Sequence, residues 1–216
     1  MTLYYLLHEA PMFDAQIRPA LAASWRCRSF EPCRTLCETL LPAARSFAQS
    51  YHLGPEEPLL AEVLCGLPFD REFWTHLAGE LLWYGAAEIP EIETAPETLC
   101  CLLAPERYRD RSGGREQFVP IEQVHFGARD LLFGGGFYRP EHAGYNCGDD
   151  VARLAAYLHA LDPQQWTVAQ LAGLDGVTDE EDRADELAFV REWFPALRDL
   201  YERARAGGFV VVCEIL

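Results

Sequence analysis

The sequence predicts an α+β protein, helix-dominated, with a small sheet formed by short terminal and central strands. Three observations predict it. Apolar residues recur at steps of three and four through most of the chain, the spacing of amphipathic helices. Residues 3–7 (Leu-Tyr-Tyr-Leu-Leu) and 209–216 (Phe-Val-Val-Val-Cys-Glu-Ile-Leu) read as strands at the two ends. Half of the 216 residues are apolar, enough to bury a full core.

Taken in order, the opening strand leads to a helix over 14–25, which Pro19 kinks or restarts. Cys33, Leu36, Leu40, Ala44, Phe47 and Tyr51 place a helix over 31–51, which Pro42 kinks or divides into two abutting helices. A short helix follows over 57–65. A stronger one spans 70–87, with Phe73, Leu77, Leu81 and Tyr84 on one stripe. Acidic and apolar residues alternate around two prolines over 88–97, which suits a sheet edge or a connector. Residues 98–103 read as a buried strand. The arginine-dense stretch 106–115 reads as a mobile, solvated loop. Any domain boundary falls there, dividing the chain into 1–104 and 117–216, unless the whole is one compact domain.

In the second segment, residues 130–133 read as a strand and Gly134, Gly135 and Gly136 as a bulge or tight turn. Residues 137–148 form a loop, and Asp149 or Asp150 caps a helix over 151–161. Asp162 and Pro163 stop that helix and open another over 164–171. Leu187, Val190, Phe194, Leu197, Tyr201 and Ala204 define a last long helix, bent at Pro195 and ended by Gly207 and Gly208. The valine-rich strand then pairs with the opening one.

Several stretches of this second segment resemble the YfbM-like family of small bacterial proteins. They are residues 124–127 (Val-His-Phe-Gly), 156–162 (Ala-Tyr-Leu-His-Ala-Leu-Asp), the helix from Glu186 through Tyr201 with Gly207 and Gly208, and 209–212 (Phe-Val-Val-Val). The resemblance covers roughly the last hundred residues, with a weaker echo in the opening strand and helix. It implies an α+β fold and a cytoplasmic location. It transfers no catalytic residues, because the family has no assigned activity, and residues 26–117 have no counterpart in it.

Composition excludes whole reaction classes. All 18 basic side chains are arginine. Without lysine there is no Schiff-base chemistry, no P-loop lysine and no kinase-type lysine. None of the five serines lies in a Gly-x-Ser-x-Gly elbow. A formal charge of −16 repels phosphate backbones, so nucleic acid is a poor partner and a basic protein a better one. No apolar run is long enough to span a bilayer, and the N-terminal residues do not read as a signal peptide. The eight cysteines sit largely in apolar runs and read as reduced thiols of a cytoplasmic protein.

The segment richest in hydrogen-bonding residues is 125–150. It carries His125, Arg129, Asp130, Tyr138, Arg139, His142, Tyr145, Asn146, Cys147, Asp149 and Asp150. One reading makes Cys147 a nucleophile at a helix N-terminus, with His142 or His125 as base, in a small hydrolase or transferase. A second makes the segment a ligand-binding loop of Arg139, His142, Tyr145, Asn146 and Asp149. The plainest reading is a structured loop with helix caps. No zinc-type spacing is present and no cofactor motif, so no metal or cofactor is predicted. The function these features favour is a non-catalytic interaction protein, of the immunity or inhibitor type, that captures a basic protein.

Overall fold

A computed structural model describes residues 3–50, 66–110, 114–131 and 142–215, with backbone only for 41–50 and 142. The predicted helix over 57–65 and the three glycines at 134–136 lie outside the described residues.

The two end strands meet as the sequence suggests. Strand β1 (Leu3–Glu9) pairs antiparallel with β4 (Phe209–Ile215), in a register that sets Leu3 opposite Ile215 and Glu9 opposite Phe209. On its other side β4 pairs antiparallel with β3 (His142–Asn146), which pairs with the two-residue β2 (Arg129–Asp130). The order is therefore β1-β4-β3-β2. The free side of β1 is closed at one point, where Leu7 N–H donates to Glu88 O at 2.8 Å. The acidic, proline-flanked stretch over 88–97 thus shields an edge.

Because β4 is central, its two side-chain faces enter two different cores. Val211, Cys213 and Ile215, with Leu3, Tyr5 and Leu7, enter the larger one. Val210 and Val212, with Leu6 and Ala143, enter the other. A strand buried on both faces needs an apolar residue at nearly every position, which is the reason for its unbroken valine run.

One layer of helices covers the second core. A helical turn, α1 (Ala10–Met12), passes through a π-turn (Phe13–Ile17) into α2 (Arg18–Cys27), followed by α3 (Glu31–Ser50) and α4 (Arg71–Tyr84). The π-turn accounts for Pro19. The helix widens just ahead of the proline, with Arg18 N–H reaching back to Phe13 O, and then continues. Asp70 caps α4 by accepting the Glu72 and Phe73 N–H groups. The stripe assigned to α4 needs a correction: Phe73 is 47% exposed, and Trp74, Leu77, Ala78, Leu81 and Leu82 are buried.

The opposite layer comprises α5 (Pro96–Leu103), α6 (Pro105–Arg109), α7 (Pro120–Phe126), α8 (Gly148–His159) and α9 (Glu180–Gly207). Residues 98–103 are therefore helical and not a strand. Pro96 at the first turn starts the helix, and a short, wholly buried apolar run has no periodicity to tell the two apart. Residues 164–171 form two 3-10 turns, Pro163–Gln165 and Val168–Leu171, where a helix is predicted. The strand expected over 130–133 is limited to Arg129–Asp130 in the described residues. Helix α9 runs through Pro195 and ends on Gly208, whose φ of 66° closes it in the left-handed region.

Part of the arginine-dense stretch is built into the fold and is not a solvated loop. Arg107 on α6 bonds both carboxylate oxygens of Glu122 on α7 at 3.1 Å, in a pair 16% and 13% exposed. Strands β1 and β4 belong to the segments 1–104 and 117–216 respectively, so the sheet draws on both.

Candidate functional site

Two of the residues gathered from 125–150, His125 and Asn146, meet at the C-terminal end of α7, where the last carbonyl groups of a helix lack partners of their own. Asn146, fully buried on β3, donates from Nδ2 to Gln123 O at 2.9 Å and to the Tyr201 hydroxyl at 3.0 Å. Its Oδ1 accepts the Ala128 N–H at 2.8 Å. The Tyr201 hydroxyl donates to Val124 O at 2.7 Å, and the Cys213 thiol approaches the same oxygen at 3.4 Å. Arg115 donates to Phe126 O and, at 2.7 Å, to Gly127 O. Side chains from β3, β4 and α9 thus satisfy one helix end.

Backbone contact at this point is unusually close. Gly127 has a φ of 75°, and a Cβ there would lie 2.3 Å from Tyr145 N. A Cβ on Gly144 would lie 2.0 Å from Phe126 O. Only glycine lets the end of α7 rest against β3.

His125 is sealed inside. It is fully buried, and its Nδ1 lies 2.7 Å from the Tyr5 hydroxyl on β1. Burial pushes its pKa down to about 3, so the ring is neutral. Burial likewise pushes the phenols of Tyr5 and Tyr201 well above their ordinary range. The other ring nitrogen, Nε2, has no hydrogen-bond partner among the described residues, so Cys147 is not joined to His125.

Cys147 occupies the N-cap position of α8 and is half-buried. Asp150, three residues on, accepts the Cys147 N–H at 3.3 Å and lies 3.2 Å from the thiol sulfur. Asp149 is exposed. The predicted capping by an aspartate is therefore shifted: Cys147 is the cap residue, and Asp150 completes the turn from inside the helix. Arg129 Nε reaches Asp150 at 2.8 Å and Arg153 reaches it at 3.5 Å. Burial pulls the Asp150 carboxyl upward, but the bonds from Arg129 and Cys147 outweigh it and hold the group below its usual range.

Of the predicted site residues, the fold brings His125 and Asn146 to the α7 end and leaves Cys147 with Asp150 and Arg129. Tyr145 follows the opposite alternation of β3 and packs its ring 5.1 Å from Phe13 in the other core. The predicted loop over 137–148 is, in its described part, strand β3 followed by the start of α8, with the His142 backbone opposite Ile215. Arg139, Tyr138 and the His142 side chain lie outside the described residues. Tyr5, Tyr201, Cys213 and Arg115, central to the network, are absent from the predicted set. Their positions far away in sequence give no local signal.

Among the described residues, no group of three or more His, Cys, Asp or Glu side chains is placed to hold a metal ion. No helix among the described residues is long and apolar enough to cross a membrane. A cleft of about 240 Å³ lies between α5, α6 and the turn Val168–Leu171, with Cys101, Arg109, Gln170 and Gly173 in its lining.

No protein-family model and no curated protein matches the chain. Among solved structures, the crystal structure of YfbM from Escherichia coli, a protein of unknown function, is similar at a TM-score of 0.49 and 14% identity. That alignment covers all of both chains, so it is not confined to the last hundred residues as the sequence resemblance is.

Proposed function

We propose that the protein acts by capturing a basic protein partner, without catalysis, through the outer face of α9. Asp182, Asp185, Phe189, Glu192, Ala196 and Asp199 recur there at alternating steps of three and four, and all are exposed. This face is the observation that carries the reading. None of its four carboxylates pairs with an arginine among the described residues. Four of the five arginines of the same helix are engaged elsewhere: Arg183 with Thr178 O, Arg191 with Pro163 O and Trp166 O, Arg203 with Glu88, and Arg205 with Glu202; the fifth, Arg198, is half-buried. Phe189, 37% exposed, supplies an aromatic anchor in the middle of the row.

Uncompensated negative charge steers a cationic partner and raises its rate of capture, and salt weakens the effect. An immunity or inhibitor role is the biological form this would take. The test is capture of basic proteins by the immobilised chain at low and high salt, repeated with Phe189→Ser and with Asp182 and Asp185 changed to Asn. Salt-sensitive capture that these changes abolish supports the reading. Capture that they leave intact overturns the assignment to α9, and no capture at either salt overturns the function.

A further inference from the structure

We propose that the cleft between α5, α6 and the turn Val168–Leu171 binds a small monocarboxylate with an apolar body, and that Arg109 holds its carboxylate. The inference is independent of the proposed function, since no residue of α9 lines this cleft. Its volume is about 240 Å³. Drug-sized ligands fill roughly 300–1,000 Å³, so the space suits a smaller molecule.

The ligand class follows from the polar side chains of the lining, which are Cys101, Arg109 and Gln170. The Cys101 thiol is 2% exposed and donates to Gln170 O at 3.7 Å. Burial holds its pKa above the ordinary thiol value, so it stays protonated and adds no negative charge. Gln170 Oε1 accepts the Thr167 N–H at 2.7 Å and lies 3.2 Å from the Thr167 hydroxyl. A backbone N–H can only donate, which fixes this atom as the oxygen and leaves the Gln170 amide nitrogen as a donor. Arg109 pairs with no carboxylate among the described residues, neither Glu106 on its own helix nor Asp175 beyond the turn. Arg107, two residues earlier, is by contrast committed to Glu122.

The lining therefore offers donors, one of them a full positive charge, and no side-chain oxygen that is free to accept. The rest of it is apolar, with Leu102, Pro105, Ala169 and Ala172. A complementary molecule carries an anionic acceptor at one end and hydrocarbon at the other. A carboxylate matches the planar guanidinium fork through two parallel bonds, and one cation balances one negative charge. Gly173 keeps the space beside Arg109 clear: a Cβ there would meet one atom within 4 Å, Arg109 Nε at 3.9 Å.

The experiment titrates the intact ¹⁵N-labelled chain with sodium benzoate, at constant ionic strength, and with benzamide as the neutral isostere. Benzoate is expected to give saturable amide shifts centred on residues 101–109 and 168–173, with benzamide weaker by about tenfold or more. Arg109→Gln should weaken benzoate by about the same factor and remove its advantage over benzamide. Gly173→Val, which narrows the space beside Arg109 and keeps the cation, should weaken both probes. Arg109 and Gly173 are exposed, so neither change threatens the core. Absence of saturable shifts, or shifts centred elsewhere, overturns the site. Equal affinity for the two probes, or benzoate binding unchanged in Arg109→Gln, overturns the ligand class and the part given to Arg109.

Discussion

Tyr5 and His125, 120 positions apart in sequence, join through a 2.7 Å hydrogen bond in the core, tying β1 to α7. Tyr5→Phe keeps the ring and removes the hydroxyl that bonds His125 Nδ1. Leaving that nitrogen unpaired in the interior is expected to cost about 1–3 kcal/mol, read as a lower urea midpoint with unchanged slope. A midpoint equal to that of the unsubstituted protein would show that the bond contributes nothing net.

Acid should weaken the fold earlier than its carboxylates alone would. His8 and His125 are both fully buried, and burial holds each near a pKa of about 3, against 6.5 when exposed. Below 6.5 the unfolded chain binds protons that the folded chain refuses, so stability rises with pH across this window. The contribution is complete above about 6.5 and is lost as pH falls towards 3, at up to about 1.4 kcal/mol per pH unit for each histidine. Urea unfolding at pH 7 and pH 5 measures this. Equal stability at the two values would contradict it.

Gly127→Ala and Gly144→Ala are each expected to be severely destabilising. The added methyl meets backbone atoms at 2.3 Å and 2.0 Å, and backbone cannot swing aside as a side chain can. At Gly127 the positive φ adds to the cost. Losses of about 2 kcal/mol or more are expected for each, with a correspondingly lower thermal midpoint. Gly176→Ala provides the contrast, since it has a positive φ of 78° but no atom within 4 Å of the new methyl.

Cys147 is expected to alkylate with iodoacetamide no faster than a free thiol. The half-buried sulfur donates to the Asp150 carboxylate 3.2 Å away, a contact the probe must displace. Asp150→Asn weakens that contact, so alkylation should speed up rather than slow down. Rapid labelling of the unsubstituted protein would revive a nucleophilic role for this sulfur.

Arg107→Gln should destabilise the protein by about 1–3 kcal/mol, because it strands the Glu122 carboxylate in a site only 13% exposed. Glu122 also accepts the Val119 N–H at 2.9 Å at the start of α7. Glu122→Gln, which retains an acceptor there, is expected to cost less than Glu122→Ala in the same denaturation assay.

The sheet was easier to read from the sequence than the site. The valine run of β4 and the leucines of β1 announce buried strands because both faces of each are covered, and apolar content follows burial. Strand β3 gives no such announcement: its His-Ala-Gly-Tyr-Asn is poor in branched residues, since Gly144 must admit the backbone of α7 and Asn146 must bond the end of that helix. The 98–103 helix reads as a strand for the opposite reason, being too uniformly apolar to show a period. Arg107 and Arg115 look like a solvated charge run until the fold supplies Glu122 and the carbonyls at 126 and 127. His125, Asn146 and Cys147 were legible as polar residues with a task. That the task of Asn146 is to finish helix α7 depends on Tyr201 and Cys213, which only tertiary structure brings near.

The place of β4 in the middle of the sheet has a consequence for how the chain is made. Strands β1 and β3 never touch each other; each waits for Phe209–Ile215 to come between them. During synthesis the first strand leaves the ribosome with its pairing edge open and keeps it open until nearly two hundred further residues have emerged, roughly ten to forty seconds at ordinary translation rates. For that interval the nascent chain can form no more of the sheet than the short β2–β3 pair, and its apolar opening residues are available to any other edge. The centre of the sheet therefore forms only after residue 209 has been made, and a ribosome stalled before it holds a chain whose two helix layers have no central strand between them.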